Sequence, residues 1–279
     1  MLIFEEIKPI KEYLNRLRKE GKSIGLVPTM GALHAGHISL IEASSKENDL
    51  TVCSIFVNPT QFNEASDLKN YPRTPEKDID LLKEANCSVL FMPKVEEIYP
   101  ATATTSLNFG HLETLMEGAF RAGHFKGVGL IVSKLFHIIS PNKAYFGQKD
   151  LQQFAIIRQL VQDLDFDVNL ICAPIVREAN GLAMSSRNLR LSEEERKQAA
   201  TYYQALAQAA QRLQNGEEYS LVKEFVHNFV AQKSLLRLEY FEMVNKNTLQ
   251  ALSTFEKGNT ALCIAGFAGP IRLIDNIIV

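Results

Sequence analysis

The decapeptide PTMGALHAGH, residues 28–37, sets two histidines three positions apart among two glycines, directly after the apolar run GLV. On a helix start, His34 and His37 fall on one side. Three chemistries fit. A metal site needs a third ligand, and the spacing of the helical zinc motif HExxH is absent. A tight turn with one capping histidine is the plain structural alternative. A phosphate cradle uses more of the residues. Gly31 and Gly36 let backbone approach an anion closely, the following helix turns its N–H groups and positive dipole end toward it, and two imidazoles can donate to a phosphate whose charge grows in a transition state. The phosphate reading is preferred.

Four more polar stretches follow apolar runs. NPTQFN (58–63) offers the amides of Asn58 and Gln61, suited to hydroxyls or a carboxylate. FRAGHFKG (120–127) brings Arg121, His124 and Lys126 into one glycine-punctuated loop. GQKD (147–150) sets Lys149, a point-charge partner for phosphate, beside Asp150, which can take a ribose hydroxyl. REANGLAMSSRN (177–188) ends on two serines and an arginine, a compact set of phosphate donors. Each has a bland alternative: an Asn-Pro turn, a solvated basic loop, an aspartate cap, a serine-rich turn. Gly21-Lys22-Ser23 is not the end of a Walker A loop, because the first glycine of that motif would fall at Arg16, inside a helical pattern with no strand before it.

The elements that must position these residues alternate in type. Strands are expected at 23–27, 50–57, 88–93, 143–147 and 167–174, and helices at 37–48, 74–85, 127–140 and 150–164. LTVCSIFV is apolar almost throughout, as a strand covered on both faces is. The alternation predicts an α/β fold: a doubly wound parallel sheet of Rossmann-like type. Ligands of such sheets bind beyond the carboxyl ends of the strands, where all five polar stretches fall. Beyond residue 176 the pattern changes. A capping box at 192–195 opens a helix to 213, a second covers 221–233, and strands follow at 236–244, 260–268 and 271–279. This is a smaller α+β domain, giving domains 1–176 and 177–279.

The length of 279 residues suits one large or two modest domains. The formal charge of −2 leaves no basic field to attract nucleic acid or an anionic membrane. Cys53, Cys87, Cys172 and Cys263 form no CxxC pair and read as buried free thiols of a reducing compartment. No secretory signal is expected in MLIFEEIKPIKEY, and no uninterrupted apolar run reaches the roughly 18 residues of a membrane span. A cytoplasmic protein is expected.

His34-Ala35-Gly36-His37 resembles the HxGH motif of the adenylyl-transferring nucleotidyltransferases, the superfamily of the class I aminoacyl-tRNA synthetases. Met184-Ser185-Ser186-Arg187 resembles its second, KMSKS-like loop. The longer strings PTMGALHAGH, FVNPTQF, YPR, FRAGHFKGV, AYFGQKDLQQ and VREANGLAMSSRN, in this order over residues 28–188, resemble the pantothenate synthetase (pantoate–β-alanine ligase) family. Two departures are small: GVGLIV is richer in glycine than the family helix, and Ala122 stands where the family often has proline.

The resemblance implies an enzyme that adenylates pantoate with ATP and passes the acyl group to β-alanine, giving pantothenate, AMP and pyrophosphate. It implies phosphate contacts from His34, His37, Lys149, Ser185, Ser186 and Arg187, with His37, His34 and Lys149 catalytic. It implies nucleotide contacts near Met30, Gly147, Val176 and Met184, and a ribose contact from Asp150. Asn58, Gln61 and Gln153 are the pantoate and β-alanine residues it implies, with Arg121 and His124 in the same place. Mg²⁺ arrives with ATP rather than on protein ligands, Asp78 being a weak candidate for a further contact. The C-terminal domain is a lid, and the chain forms a homodimer. Two rivals remain: a nucleotidyltransferase that stops at adenylyl transfer, and an inactive nucleotide-binding module.

Overall fold

Six short apolar runs become the strands of one parallel sheet: β1 (Leu2–Phe4), β2 (Ile24–Thr29), β3 (Leu50–Ile55), β4 (Val89–Phe91), β5 (Lys143–Gly147) and β6 (Asn169–Ala173). Their order is β1-β4-β3-β2-β5-β6. The chain winds from β2 through β3 to β4 on one side, then resumes on the other side of β2 with β5 and β6. The winding therefore reverses between β2 and β5. That is the switch point at which open α/β sheets bind ligands. Residues 30–34 leave β2 there, and Gly147 closes β5 there.

The computed structural model describes residues 1–279, and the chain divides into two compact units. The first, Met1–Gly147 with Ile156–Ala173, holds this sheet. Its helices are α1 (Ile7–Lys19), α2 (Ala35–Glu47), α3 (Ala65–Asn70), α4 (Pro75–Glu84), α5 (Val95–Ile98), α6 (Met116–Phe120) and α7 (His124–Ile139), with most of α8 (Leu151–Asp163). Val27, Cys53 and Leu90 of adjacent strands pack with Leu40 and Ile41 of α2 and Leu82 of α4, which fixes both helices on one face of the sheet. The doubly wound parallel sheet is as expected. The sequence pattern gives no sign of β1, because three residues are too few to show a period. Cys53, Cys87 and Cys263 are buried thiols. Cys172 is exposed, against expectation, because β6 is an edge strand and covered on fewer sides.

The second unit comprises Gln148–Ala155 and Pro174–Val279. It contains α9 (Glu193–Ala199), α10 (Thr201–Gln214), α11 (Tyr219–Ala231) and an antiparallel sheet in the order β7-β8-β9, from β7 (Leu236–Asn245), β8 (Thr260–Ala268) and β9 (Ile271–Ile278). The capping box forms: Ser192 Oγ accepts from the Glu195 N–H, and Glu195 Oε2 accepts from the Ser192 N–H at 2.8 Å. The single helix expected over 192–213 is two, meeting at Ala200. Tyr202, Leu206 and Leu213 of α10 bury with Val222 and Val226 of α11 against Phe241, Leu262 and Ile264 of the sheet. The division differs from a single break after residue 176 in two respects: the break falls after Ala173, and the turn after β5 and the first residues of α8 group with the C-terminal residues.

Candidate active site

The backbone turns sharply after β2. Gly31 and Ala32 both adopt left-handed φ, +81° and +50°. Glycine takes that conformation freely and alanine at a cost, so something must hold the turn. Thr29 Oγ1 accepts from the Gly31 N–H at 3.2 Å and donates to the Ser54 carbonyl at 2.8 Å. Asp78, on the first turn of α4 and buried, supplies the larger restraint. Its Oδ2 accepts from the Ala32 N–H and its Oδ1 from the Leu33 N–H, each at 2.8 Å, and Thr74 Oγ1 donates to Oδ1 at 3.1 Å. Both Asp78 oxygens are engaged by donors, so this carboxylate is a strut for the loop.

The chain then enters α2 with His34 as N-cap. His34 Nδ1 accepts from the Gly36 N–H at 3.2 Å, and His37 Nδ1 accepts from the His34 N–H at 3.4 Å. This is a capping box built from two imidazoles, with ring centroids 4.0 Å apart. An Nδ1 that accepts leaves the proton of the neutral ring on Nε2. The cap thus makes both rings Nε2–H donors at a helix N-terminus, where N–H groups and the dipole already favour an anion.

A second cluster of the same unit surrounds the 3₁₀ turn Pro59–Gln61, capped by Asn58. Asn58 Nδ2 donates to Gln61 Oε1 and to the Gly127 carbonyl, both at 3.1 Å. Gln61 Nε2 donates to Met30 Sδ at 3.0 Å, which joins this turn to the loop after β2. The Gln61 carbonyl accepts from His124 Nδ1 at 2.8 Å, and Arg121 donates to His124 Nε2 at 3.1 Å. Arginine only donates, so His124 is held as the neutral Nδ1–H form. The buried Glu117 lies 3.7 Å behind Arg121. The structure therefore brings Met30, Asn58, Gln61, Arg121 and His124 together, with Arg121 and His124 bracing the turn from behind. The glycines of α7 that depart from the family pattern have packing reasons. A side chain at Gly127 would collide with the backbone of Thr60, and one at Gly129 with the Phe109 ring.

Sequence reasoning misses Tyr99 here. Its hydroxyl donates to Asn58 Oδ1 at 2.8 Å, and burial pushes its pKa above the ordinary value, so it stays a donor. Nothing in the local pattern around Tyr99 signals this.

In the C-terminal unit, Lys149 and Asp150 lie in a 3₁₀ turn, Gln148–Asp150, and α8 begins only at Leu151. Lys149 and Gln153 are four positions apart, but only Gln153 lies in the α-helix, since the 3₁₀ turn that carries Lys149 is wound differently. Lys149 Nζ stands 3.8 Å from Asp150 Oδ1. Residues 176–184 form a small hairpin: the Met184 N–H donates to the Val176 carbonyl at 3.0 Å, and the Glu178 N–H to the Leu182 carbonyl at 2.8 Å. It delivers Ser185, which caps the 3₁₀ turn Ser186–Arg190 and accepts from the Arg187 N–H at 3.3 Å. Asn188 donates to the Ala183 carbonyl and to Glu178, and Glu178 is gripped by both arms of Arg196 at 2.7 and 2.8 Å. Sequence reasoning also misses Asp275 and Asn276, two buried polar residues of β9 that bind these segments. The signal available was their polarity within the apolar run IRLIDNIIV.

A doubly wound parallel sheet whose switch-point strand runs into a histidine-capped helix defines a nucleotide-binding α/β protein of the HxGH kind. The comparisons are more specific. The family model described as pantoate-beta-alanine ligase matches residues 2–278. A pantothenate synthetase of Bacteroides fragilis is 49% identical over 278 residues, 99% of this chain and 98% of that protein. One of Caldicellulosiruptor bescii is 45% identical, covering 100% of this chain and 99% of that one. The crystal structure of pantothenate synthetase from Thermus thermophilus superposes with a TM-score of 0.94 at 39% identity, over 100% of this chain and 99% of that chain. The pantoate-beta-alanine ligase of Francisella tularensis, complexed with beta-gamma ATP and beta-alanine, superposes with a TM-score of 0.86 at 35% identity, over 100% and 97% of the two chains. The chain belongs to the pantoate-β-alanine ligase family.

Proposed function

We propose that this enzyme condenses pantoate with β-alanine through a pantoyl adenylate. A pantoate carboxylate oxygen attacks the ATP α-phosphorus, the bond to the bridging oxygen breaks, and pyrophosphate leaves. The β-alanine amine then attacks the acyl carbon of the mixed anhydride, AMP leaves with the electron pair, and the amine sheds a proton to solvent. The observation that carries this reading is the self-capped His34–His37 helix start, in a chain that matches the ligase family from residue 2 to 278.

The carboxylate needs no general base, since carboxyls ionise near pH 4. The protein's tasks are alignment and neutralisation of charge. His34 and His37 donate from Nε2 to the nucleotide phosphates, supported by the fixed tautomer. Lys149, Ser185, Ser186 and Arg187 supply further phosphate contacts, Asp150 takes the ribose, and Met30, Gly147, Val176 and Met184 line the nucleotide. Asn58, Gln61 and Gln153 hold pantoate, Gln61 also meeting β-alanine. Arg121 and His124 act on substrate through Gln61, as their contacts suggest.

Mg²⁺ enters with ATP, neutralising phosphate charge when bound. No group of three or more His, Cys, Asp and Glu side chains is arranged to hold a metal ion, which favours an ion held by phosphates and water. The C-terminal unit serves as lid and a second copy completes a homodimer, readable by sedimentation. Free thiols and the lack of any helix long and apolar enough to cross a membrane suit a cytoplasmic enzyme.

Pyrophosphate exchange tests the reading. Labelled pyrophosphate should enter ATP only when pantoate is present, and AMP release should need β-alanine as well. Exchange that ignores pantoate, or follows another acid, overturns the substrate assignment.

A further inference from the structure

We infer that Asp275 and Asn276, neighbours on β9, are positioning residues that hold the Lys149 turn and the segment delivering Ser185–Arg187 in fixed register with each other. The inference rests on the phosphate roles proposed above for those residues.

Buried polar groups persist only where they are hydrogen-bonded. Asp275 is 6% exposed and Asn276 2%, in a strand otherwise apolar on its buried face. Their partners are not scattered. Asn276 Nδ2 donates to the Gln148 carbonyl at 2.9 Å and to the Lys149 carbonyl at 3.0 Å, and its Oδ1 accepts from Gln148 Nε2 at 3.0 Å. A flipped amide would turn its oxygen on two carbonyls, so the orientation is fixed. All three bonds go to the turn that carries Lys149.

Asp275 looks the other way along the chain. Its two oxygens take the fork of Arg177 at 2.6 and 3.0 Å, the paired geometry that arginine and carboxylate make best. Arg177 also donates to the Gly181 carbonyl at 3.1 Å and the Asn276 carbonyl at 3.2 Å, and stacks on the Tyr203 ring at 3.9 Å. Arg177 is thereby committed to holding the hairpin that ends at Met184. It is a strut for the phosphate donors rather than one of them. Adjacent residues of a strand are about 3.8 Å apart at Cα, so a displacement of one segment is transmitted to the other.

The test is kinetic. Asn276→Ala should keep a cooperative melt yet slow pantoate-dependent pyrophosphate exchange about 10- to 100-fold, the size expected of a misplacement near 1 Å. Transfer from supplied pantoyl adenylate to β-alanine should change no more than about 2-fold, since that step makes no new demand on the β- and γ-phosphates. The decisive comparison is with Lys149→Ala. If Asn276 acts through the Lys149 turn, the double variant exchanges no more slowly than Lys149→Ala alone. Multiplicative losses, or an Asn276→Ala enzyme as fast as wild type, overturn the clamp. A Lys149→Ala enzyme with full exchange overturns the role of Lys149 itself, and the clamp with it. Should Asn276→Ala not fold, Gln148→Ala removes only the bond to Oδ1. It should show the same non-additive loss at smaller size, and an additive loss or none overturns the proposal.

Discussion

The two sets of proposed phosphate donors are held by opposite means. His34 and His37 are fixed by residues beside them in sequence: a helix cap in which each imidazole accepts a backbone N–H two or three residues away. The Lys149 turn and the hairpin that delivers Ser185–Arg187 are tied from afar, by a dipeptide about a hundred residues later in the chain. The first device is local and sets a tautomer. The second is long-range and sets a register. A histidine pair must present particular ring nitrogens, which a cap can dictate. A lysine turn and a serine loop must be kept in step, which only a shared anchor achieves.

The largest effect expected from breaking this contrast is on stability. Asp275→Ala leaves the half-buried Arg177 charge without its carboxylate partner, which costs up to about 3 kcal/mol, the lower end of the range for a fully buried pair. Urea unfolding should show that loss, and Asp275→Leu combined with Arg177→Met should recover much of it. If the single variant melts like wild type, the long-range anchor is decorative. Next comes the local device. His37→Ala removes one donor to developing phosphate charge, worth about 10²–10³ in rate for a preorganised donor. Pantoate-dependent pyrophosphate exchange should fall by that factor while the fold survives, because the capping bond lost is long at 3.4 Å. An unfolded His37→Ala protein would make His37 a structural residue.

The same contrast explains what could be read from the sequence. PTMGALHAGH is legible because its cap, its glycine and its histidines are contiguous. The strands 143–147 and 260–268 match their expected limits because turn residues bound apolar runs. Asp275 and Asn276 were illegible as site residues: in sequence they are a polar interruption of a strand, and only folding shows what they face. The strut role of Asp78 is illegible for a related reason: the two backbone N–H groups it accepts from lie 46 and 45 residues away. The helix expected over 192–213 is divided at Ala200, which keeps helical dihedrals (φ −59°, ψ −19°), so no residue type there signals a stop.

Asp78 gives a smaller, sharper test, because it is a long-range strut within the otherwise local device. Asp78→Asn puts an amide donor against one of two backbone N–H groups. The mismatch should cost about 1–3 kcal/mol of stability, the range for a buried donor left unpaired. It should also lower the rate of pantoate-dependent exchange more than it raises the KM for ATP, since the imidazoles remain but their turn is released. If stability falls and exchange does not, the cap alone positions the histidines.

Asp49 provides the smallest effect, at the start of β3 and so at the end of the sheet away from the switch point. Its carboxylate accepts from the Ser23 N–H at 2.9 Å, the Ser23 hydroxyl at 2.8 Å and Lys22 at 3.1 Å, which together hold its pKa down at about 2. The folded value lies below the unfolded 3.8, so the contribution to stability is present above pH 3.8 and is lost as pH falls through about 2. Asp49→Asn should therefore melt below wild type at pH 7, with the gap closing on acidification toward pH 2. Pyrophosphate exchange at pH 7 should be unaffected, because this contact ties β2 to β3 at the wrong end to move His34 or His37. A change in exchange as large as that from Asp78→Asn would mean that the histidine cap depends on the whole of β2 rather than on its carboxyl-end turn, and the device would no longer be local.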